Sequence, residues 1–100
     1  MSTRATIKFS DKHETFFVYR HCDGYPEQIM PDIEAVLEKA KGRWSEPECG
    51  LLVSFFLGMH FKPEERLPDY EMTGSFHGDE SYRYHVEWDA NAGKWTAKVG

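Results

Sequence analysis

The chain has 100 residues, 40% of them hydrophobic and 15% aromatic, and a formal net charge of −5 at pH 7. That is one globular domain with a single core, too short for a catalytic domain plus a substrate domain. A mean hydropathy of −0.65 and the lack of any apolar run of about 18 residues exclude a membrane-spanning helix. No basic block longer than "KAKGR" (Lys39 to Arg43) occurs, so the clustered positive charge of a direct nucleic-acid binder is missing.

The opening "MSTRATIKFS" has no apolar signal region, and the two cysteines then read as free thiols in a reducing cytoplasm. From Thr3 to Phe9, Ala5, Ile7 and Phe9 alternate with Arg4, Thr6 and Lys8, the period of a half-buried strand. After the polar turn "SDKHE", the stretch "TFFVYRH" (Thr15 to His21) is a second strand, completing an N-terminal hairpin. Both its faces carry apolar mass, Phe16 and Val18 on one, Phe17, Tyr19 and His21 on the other, as in a sandwiched or central strand.

Ile29, Ile33, Val36, Leu37 and Ala40 recur at helical spacing, with Pro31 assigned to the first turn and Gly42 to the C-cap. Ser45 stands three residues before Glu48, the capping-box spacing, ahead of "GLLVSFFLGMHF". This second helix has almost no polar face and is expected to be the most buried element. Pro63 and Pro68 bound a charged loop, and "EMTGSFHG" (Glu71 to Gly78) reads as a strand weakened by Gly74. In "SYRYHVEWD", Tyr82, Tyr84, Val86 and Trp88 point one way and Arg83, His85, Glu87 and Asp89 the other. "ANAG" then turns the chain into "KWTAKV", with Trp95, Ala97 and Val99 inward. The expected architecture is a single α+β domain over residues 1–100, with an antiparallel sheet, element order ββααβββ and two helices packed on one face.

No set of residues has the spacing of a catalytic or metal site. His21 and Cys22 are adjacent on a strand and point to opposite faces, so they do not converge on one ion. His77 and His85, placed on neighbouring strands, form a cross-strand pair. Cys49 begins a buried helix and reads as a small core residue, and Ser54 lacks a nucleophile elbow. "TGSFHG" is not followed by a helix, as a phosphate loop would be. No cofactor is expected. Arg83, His85, Glu87, Lys94, Thr96 and Lys98 make a polar sheet face, joined by Arg4, Lys8 and Arg20, which is either simply wet or a contact surface for a partner or anionic ligand.

The start "MSTRATIKF", the turn "VYRHCDGYPEQIMPDI" and the C-terminal "YRYHVEWDANAGKWTAKV" together resemble a family of short uncharacterised bacterial, prophage and phage proteins. The matching positions are Thr3, Arg4, Tyr19, Asp23, Gly24, Tyr25 and Pro26; Cys22 stands where the family commonly has an aromatic, and residues 40–71 carry no matching motif. No activity comes with the family. Its genomic setting implies a phage or mobile-element accessory role, such as blocking a host defence by binding a protein or nucleotide.

Two readings of the Asp-Gly-Tyr-Pro turn follow. In the structural one, Asp23 caps the turn or helix, Gly24 takes a conformation other residues resist, and Arg4 pairs with Asp23 or holds the loop's carbonyls. In the functional one, Arg4, Tyr19, His21, Asp23, Gly24 and Tyr25 rim a site, with Arg4 binding an anionic group. The functional expectation is a small cytoplasmic binding protein, not an enzyme, acting through a protein partner at exposed Tyr25 and the polar sheet face. The alternative is a nucleotide- or metabolite-binding domain, including a hydrolytic one, with its pocket at this turn. A mimic of DNA would need carboxylates regularly spaced on one face, and no such spacing is traceable.

Overall fold

The computed structural model describes residues 2–100; Met1, the first residue of the opening motif, lies outside them. Strands β1 (Ala5–Ser10) and β2 (Thr15–Arg20) are followed by helices α1 (Pro26–Ala40) and α2 (Cys49–Met59). Strands β3 (Glu71–Thr73), β4 (Tyr82–Asp89) and β5 (Lys94–Val99) complete the α+β fold in the expected order. They form one sheet in the order β3-β2-β1-β4-β5. Its neighbours are antiparallel except β1 and β4, which run parallel from Ala5 opposite Tyr82 to Ser10 opposite Glu87. The sheet is therefore mixed rather than antiparallel throughout. A parallel pair needs a long connection, and everything between β1 and β4 supplies it.

The β1–β2 hairpin is closed by Asp11, whose Oδ1 accepts the N–H groups of His13 (2.7 Å) and Glu14 (2.8 Å). The other oxygen accepts the N–H of Cys49 at 2.9 Å, at the first residue of α2. Partial burial disfavours the ionised form, but the three N–H groups outweigh it and hold the Asp11 carboxyl below its usual range. This long-range cap replaces the expected capping box: α2 begins at Cys49, after Glu48, and no side chain at the N-cap position closes it. In α1, Pro26 rather than Pro31 occupies the first turn, and Pro31 sits inside the helix on its exposed side. Gly42, at φ +68°, follows the last turn in the left-handed conformation that favours glycine.

Ala5, Ile7 and Phe9 of β1, Val18 of β2 and Val86 of β4 bury against Ile29, Ile33 and Val36 of α1 and Leu52 and Phe56 of α2. The Phe9 and Phe56 rings meet at 5.3 Å between centroids. Contrary to expectation, α2 is not buried all round: Leu51 and Met59 on its outer side are 40% and 38% exposed. Val99, expected inward, is 44% exposed at the end of the edge strand. Arg20, assigned to the polar sheet face, is instead on the helix side and only 7% exposed. Alternation along β2 puts it with Val18, and its charge is answered there. Its Nε donates to the Cys22 carbonyl at 2.7 Å, its guanidinium covers the Tyr70 ring at 4.9 Å, and Asp32 lies 3.9 Å away. Tyr70 in turn donates to Asp32 at 2.6 Å, so burial and a carboxylate neighbour both push its phenol pKa up.

Because β3 lies at one edge and β4 beyond β1, residues 74–81 must cross the face of the sheet away from the helices. The expected strand from Glu71 to Gly78 accordingly stops at Thr73. His77 and His85 are thus not cross-strand partners. Phe76 packs edge-on against Phe17 at 5.1 Å and lies under Arg83 at 4.2 Å, while His77 stacks on Tyr19 at 3.6 Å. Both faces of β2 are therefore covered, as its sequence predicts.

Glu80 fastens this crossing. Its side chain is 1% exposed and accepts from Thr6 Oγ1 (2.6 Å), the His77 and Gly78 N–H groups (2.9 and 3.0 Å) and Arg83 Nε (3.0 Å). Burial opposes the charge, but these donors prevail and draw the carboxyl from its ordinary 4.5 to about 2. A carboxyl depressed in the folded state stabilises fully above its unfolded pKa and loses that contribution as pH falls through the folded one. Glu80→Gln is thus expected to cost roughly 2–3 kcal/mol at pH 7, with the gap to the parent closing between about pH 4.5 and pH 2. Denaturant titrations of both proteins across that range measure it; a gap that does not change with pH would refute the assignment.

Candidate functional site

The six sequence-assigned site residues divide into two groups. Arg4, Tyr19 and His21 gather under the crossing segment. Tyr19 donates its hydroxyl to Asp79 (3.0 Å to Oδ1), and Arg4 Nε lies 3.7 Å from the same carboxylate. The His21 ring stands edge-on to Tyr19 at 4.8 Å and pairs with Glu71. Burial and the adjoining Asp79 raise the Tyr19 phenol pKa, the opposite of what an ionised nucleophile requires.

Asp23, Gly24 and Tyr25 lie at the entry to α1, and Arg4 does not reach Asp23. The capping proposal is corrected on each point. Tyr25, not Asp23, is the N-cap residue, and no side chain caps α1. Asp23 is the residue with positive φ, at 56°. Asp tolerates this conformation better than most residues, and the only hydrogen bond its side chain makes among the described residues is a long 3.4 Å one from the Tyr25 hydroxyl. Gly24 is required by space instead. A Cβ there would stand 2.7 Å from the Ala5 Cβ and 2.9 Å from the Thr3 carbonyl oxygen. The turn is held through its backbone: the Gly24 N–H donates to the Thr3 carbonyl at 2.8 Å, and the buried Tyr84 hydroxyl donates to the Gly24 carbonyl at 2.7 Å.

The cysteines and histidines form no reactive centre in the described residues. Cys49 is buried, and desolvation with Asp11 and Glu14 nearby pushes its thiol up to about 12, while Cys22 is exposed. Among the described residues no three His, Cys, Asp or Glu side chains are placed to hold a metal ion.

A cavity lies elsewhere, where the end of α1 and the α1–α2 connection face the β4–β5 hairpin. It is a groove of about 470 Å³ lined by Trp44, Trp88 and Trp95, with Glu34, Glu38 and Glu46 among its other walls. These are all three tryptophans of the chain. Trp88 and Trp95 are cross-strand partners that flank the hairpin turn, their rings 5.6 Å apart and inclined at 72°. That turn is set by Asp89, whose Oδ1 accepts from the Asn91 and Ala92 N–H groups, and by Gly93 at φ +66°. Trp44 comes from the α1–α2 connection and leans edge-on against Phe55 of α2 at 5.3 Å. All three rings are only half-buried.

Alternation turns Trp95 inward and puts Trp88 on the face of Tyr84 and Val86. Trp95 does pack, partly buried, against the core, as does Trp44, to which the sequence reading gives no role. Their shared location was legible in part, since residues 88 and 95 flank a short turn and so must be adjacent. The meeting with Trp44 depends on which strand β4 pairs with. None of the six residues assigned from sequence lines this groove or the shallower depression beside α2 at Leu51 and Met72. Comparisons with protein-family models, with curated proteins and with solved structures return no match for this chain.

The two groups of residues respond differently to substitution. Gly24→Ala is expected to cost about 1–3 kcal/mol, because Ala5 and the Thr3 backbone cannot both yield. Arg4→Ala, which removes an ion pair of two half-exposed groups, should change stability by no more than about 0.5 kcal/mol. Thermal unfolding of the two variants measures both; a large loss for Arg4→Ala would make the Arg4–Asp79 contact a structural one.

Proposed function

We propose that this chain is a binding module that acts on a protein partner, and that the partner docks in the tryptophan groove. The observation that carries this reading is the placement of all three tryptophans, drawn from two strands and a helical connection, around one open groove. In a domain this small, a large aromatic ring stabilises most when fully buried. Three rings left half-buried together form an apolar, concave surface of the kind partner side chains fill. Tryptophan is also among the residues that most often dominate binding energy at protein interfaces. The groove's volume of about 470 Å³ suits one or two inserted side chains better than a whole folded element. One rim is the end of α1 with the connection that follows it, and the other is the β4–β5 hairpin.

The test is photo-crosslinking in cells that express the chain. Benzoylphenylalanine replaces Glu38 at the groove, Tyr25 at the Asp-Gly-Tyr-Pro turn, or Glu64 in the charged loop as a control. All three positions are exposed, so the fold tolerates the exchange. A discrete protein adduct from position 38 alone is expected. Adducts from position 25 with none from position 38 would overturn the groove as the docking site.

A further inference from the structure

We infer that the group seated in the tryptophan groove is a cationic side chain, an arginine or lysine presented by a basic segment of the partner protein. This rests on the groove being the docking site and names the chemistry it selects.

Three features of the groove point the same way. The first is its walls. Tryptophan has the strongest face quadrupole of the natural side chains and is the best π partner for an ammonium or guanidinium group. Trp88 and Trp95, inclined at 72° with centroids 5.6 Å apart, form a corner rather than a flat stack. Such a corner can offer a ring to a cation from more than one direction.

The second is charge. Glu34, Glu38 and Glu46 line the groove and are exposed, and none of them enters a salt bridge with a described residue. Glu34 and Glu38 are one helical turn apart on α1, so they present two carboxylates along one rim. The lysines at the groove are Lys41 and Lys94. Two lysines therefore face three carboxylates, and the carboxylates are in excess. An anionic ligand would meet that excess of negative charge, whereas a cation answers it.

The third is the position of α1. Its C-terminus, from Ala40 through Lys41 to Gly42, forms part of the groove wall. The negative end of the helix dipole therefore adds to the carboxylates at the place where the rings gather. A net charge of −5 over the whole chain favours approach of a basic segment to this end as to any other. Selection of the groove over the rest of the acidic surface is what the aromatic corner supplies.

The probe is a fluorescein-labelled hexa-arginine peptide, followed by fluorescence anisotropy, with a labelled hexaglutamine peptide as the uncharged comparison. Two double variants remove equal charge: Glu34→Gln with Glu38→Gln at the groove, and Glu64→Gln with Glu65→Gln in the charged loop. All four positions are exposed, so neither variant threatens the core. Hexa-arginine is expected to bind the groove variant about tenfold more weakly than the parent, and the loop variant less than about twofold more weakly. The indole N–H resonances of Trp44, Trp88 and Trp95 should shift on addition of hexa-arginine and stay in place with hexaglutamine. Equal weakening in both double variants would show diffuse adsorption and overturn the inference, as would equal binding of hexaglutamine. Crosslinking from position 38 with no groove-dependent hexa-arginine binding would overturn the cation while leaving the docking site in place. Absence of that crosslink would instead count against the docking site itself.

Discussion

The buried carboxylate of Glu80 is the contact on which the topology turns. With β4 beside β1 instead of beside β3, the chain has to pass over its own sheet, and that segment has no helix or strand to satisfy its backbone. Glu80 takes up two of its N–H groups and ties them to Thr6 on β1 and Arg83 on β4. Phe76 and His77 then cover Phe17 and Tyr19, closing a face that would otherwise expose aromatic surface. One ionised group thus orders residues 77–83 and ties them to β1, far away in sequence. A charge so deeply buried is tolerable only because every lone-pair direction has a donor.

The groove follows from the same choice of neighbours. Had β4 extended the sheet from β3, the hairpin carrying Trp88 and Trp95 would lie on the far edge, away from the end of α1. Parallel pairing with β1 brings that hairpin under the helix terminus, where the connection to α2 delivers Trp44. Asp11 performs a comparable service at the same end of the sheet, joining the first hairpin to the start of α2. The arrangement of the elements thus depends on strand pairings, core contacts and bridging side chains between distant residues, whereas each element's own shape is set locally.

That division explains what could be read from the sequence. The seven elements, their order, the first hairpin, the apolar face of α1 and the turn after Asp89 all follow from patterns a few residues long. The sequence points to Gly24 for its backbone conformation, but its φ is not positive; its constraint is the approach of Ala5, nineteen positions earlier. Arg20 was placed on the wet face although alternation puts it beside Val18, since an arginine on a core face goes against composition until Asp32 and Tyr70 are seen to receive it. The capping box at Ser45 and Glu48 lost to a carboxylate thirty-eight residues before the helix. Local spacing cannot weigh such a competitor. The parallel β1–β4 pairing is of the same kind, and with it went any view of the groove.

Gathering every indole at one end of the molecule has a spectroscopic consequence. Trp44, Trp88 and Trp95 are the only strong near-ultraviolet fluorophores in the chain, so its intrinsic emission is a local signal and not an average over the fold. Loosening of the crossing segment, or of the turn at Gly24, can proceed far from any emitter. Fluorescence and amide circular dichroism therefore watch different parts of this protein, and coincidence of their unfolding curves would be a real test of its cooperativity.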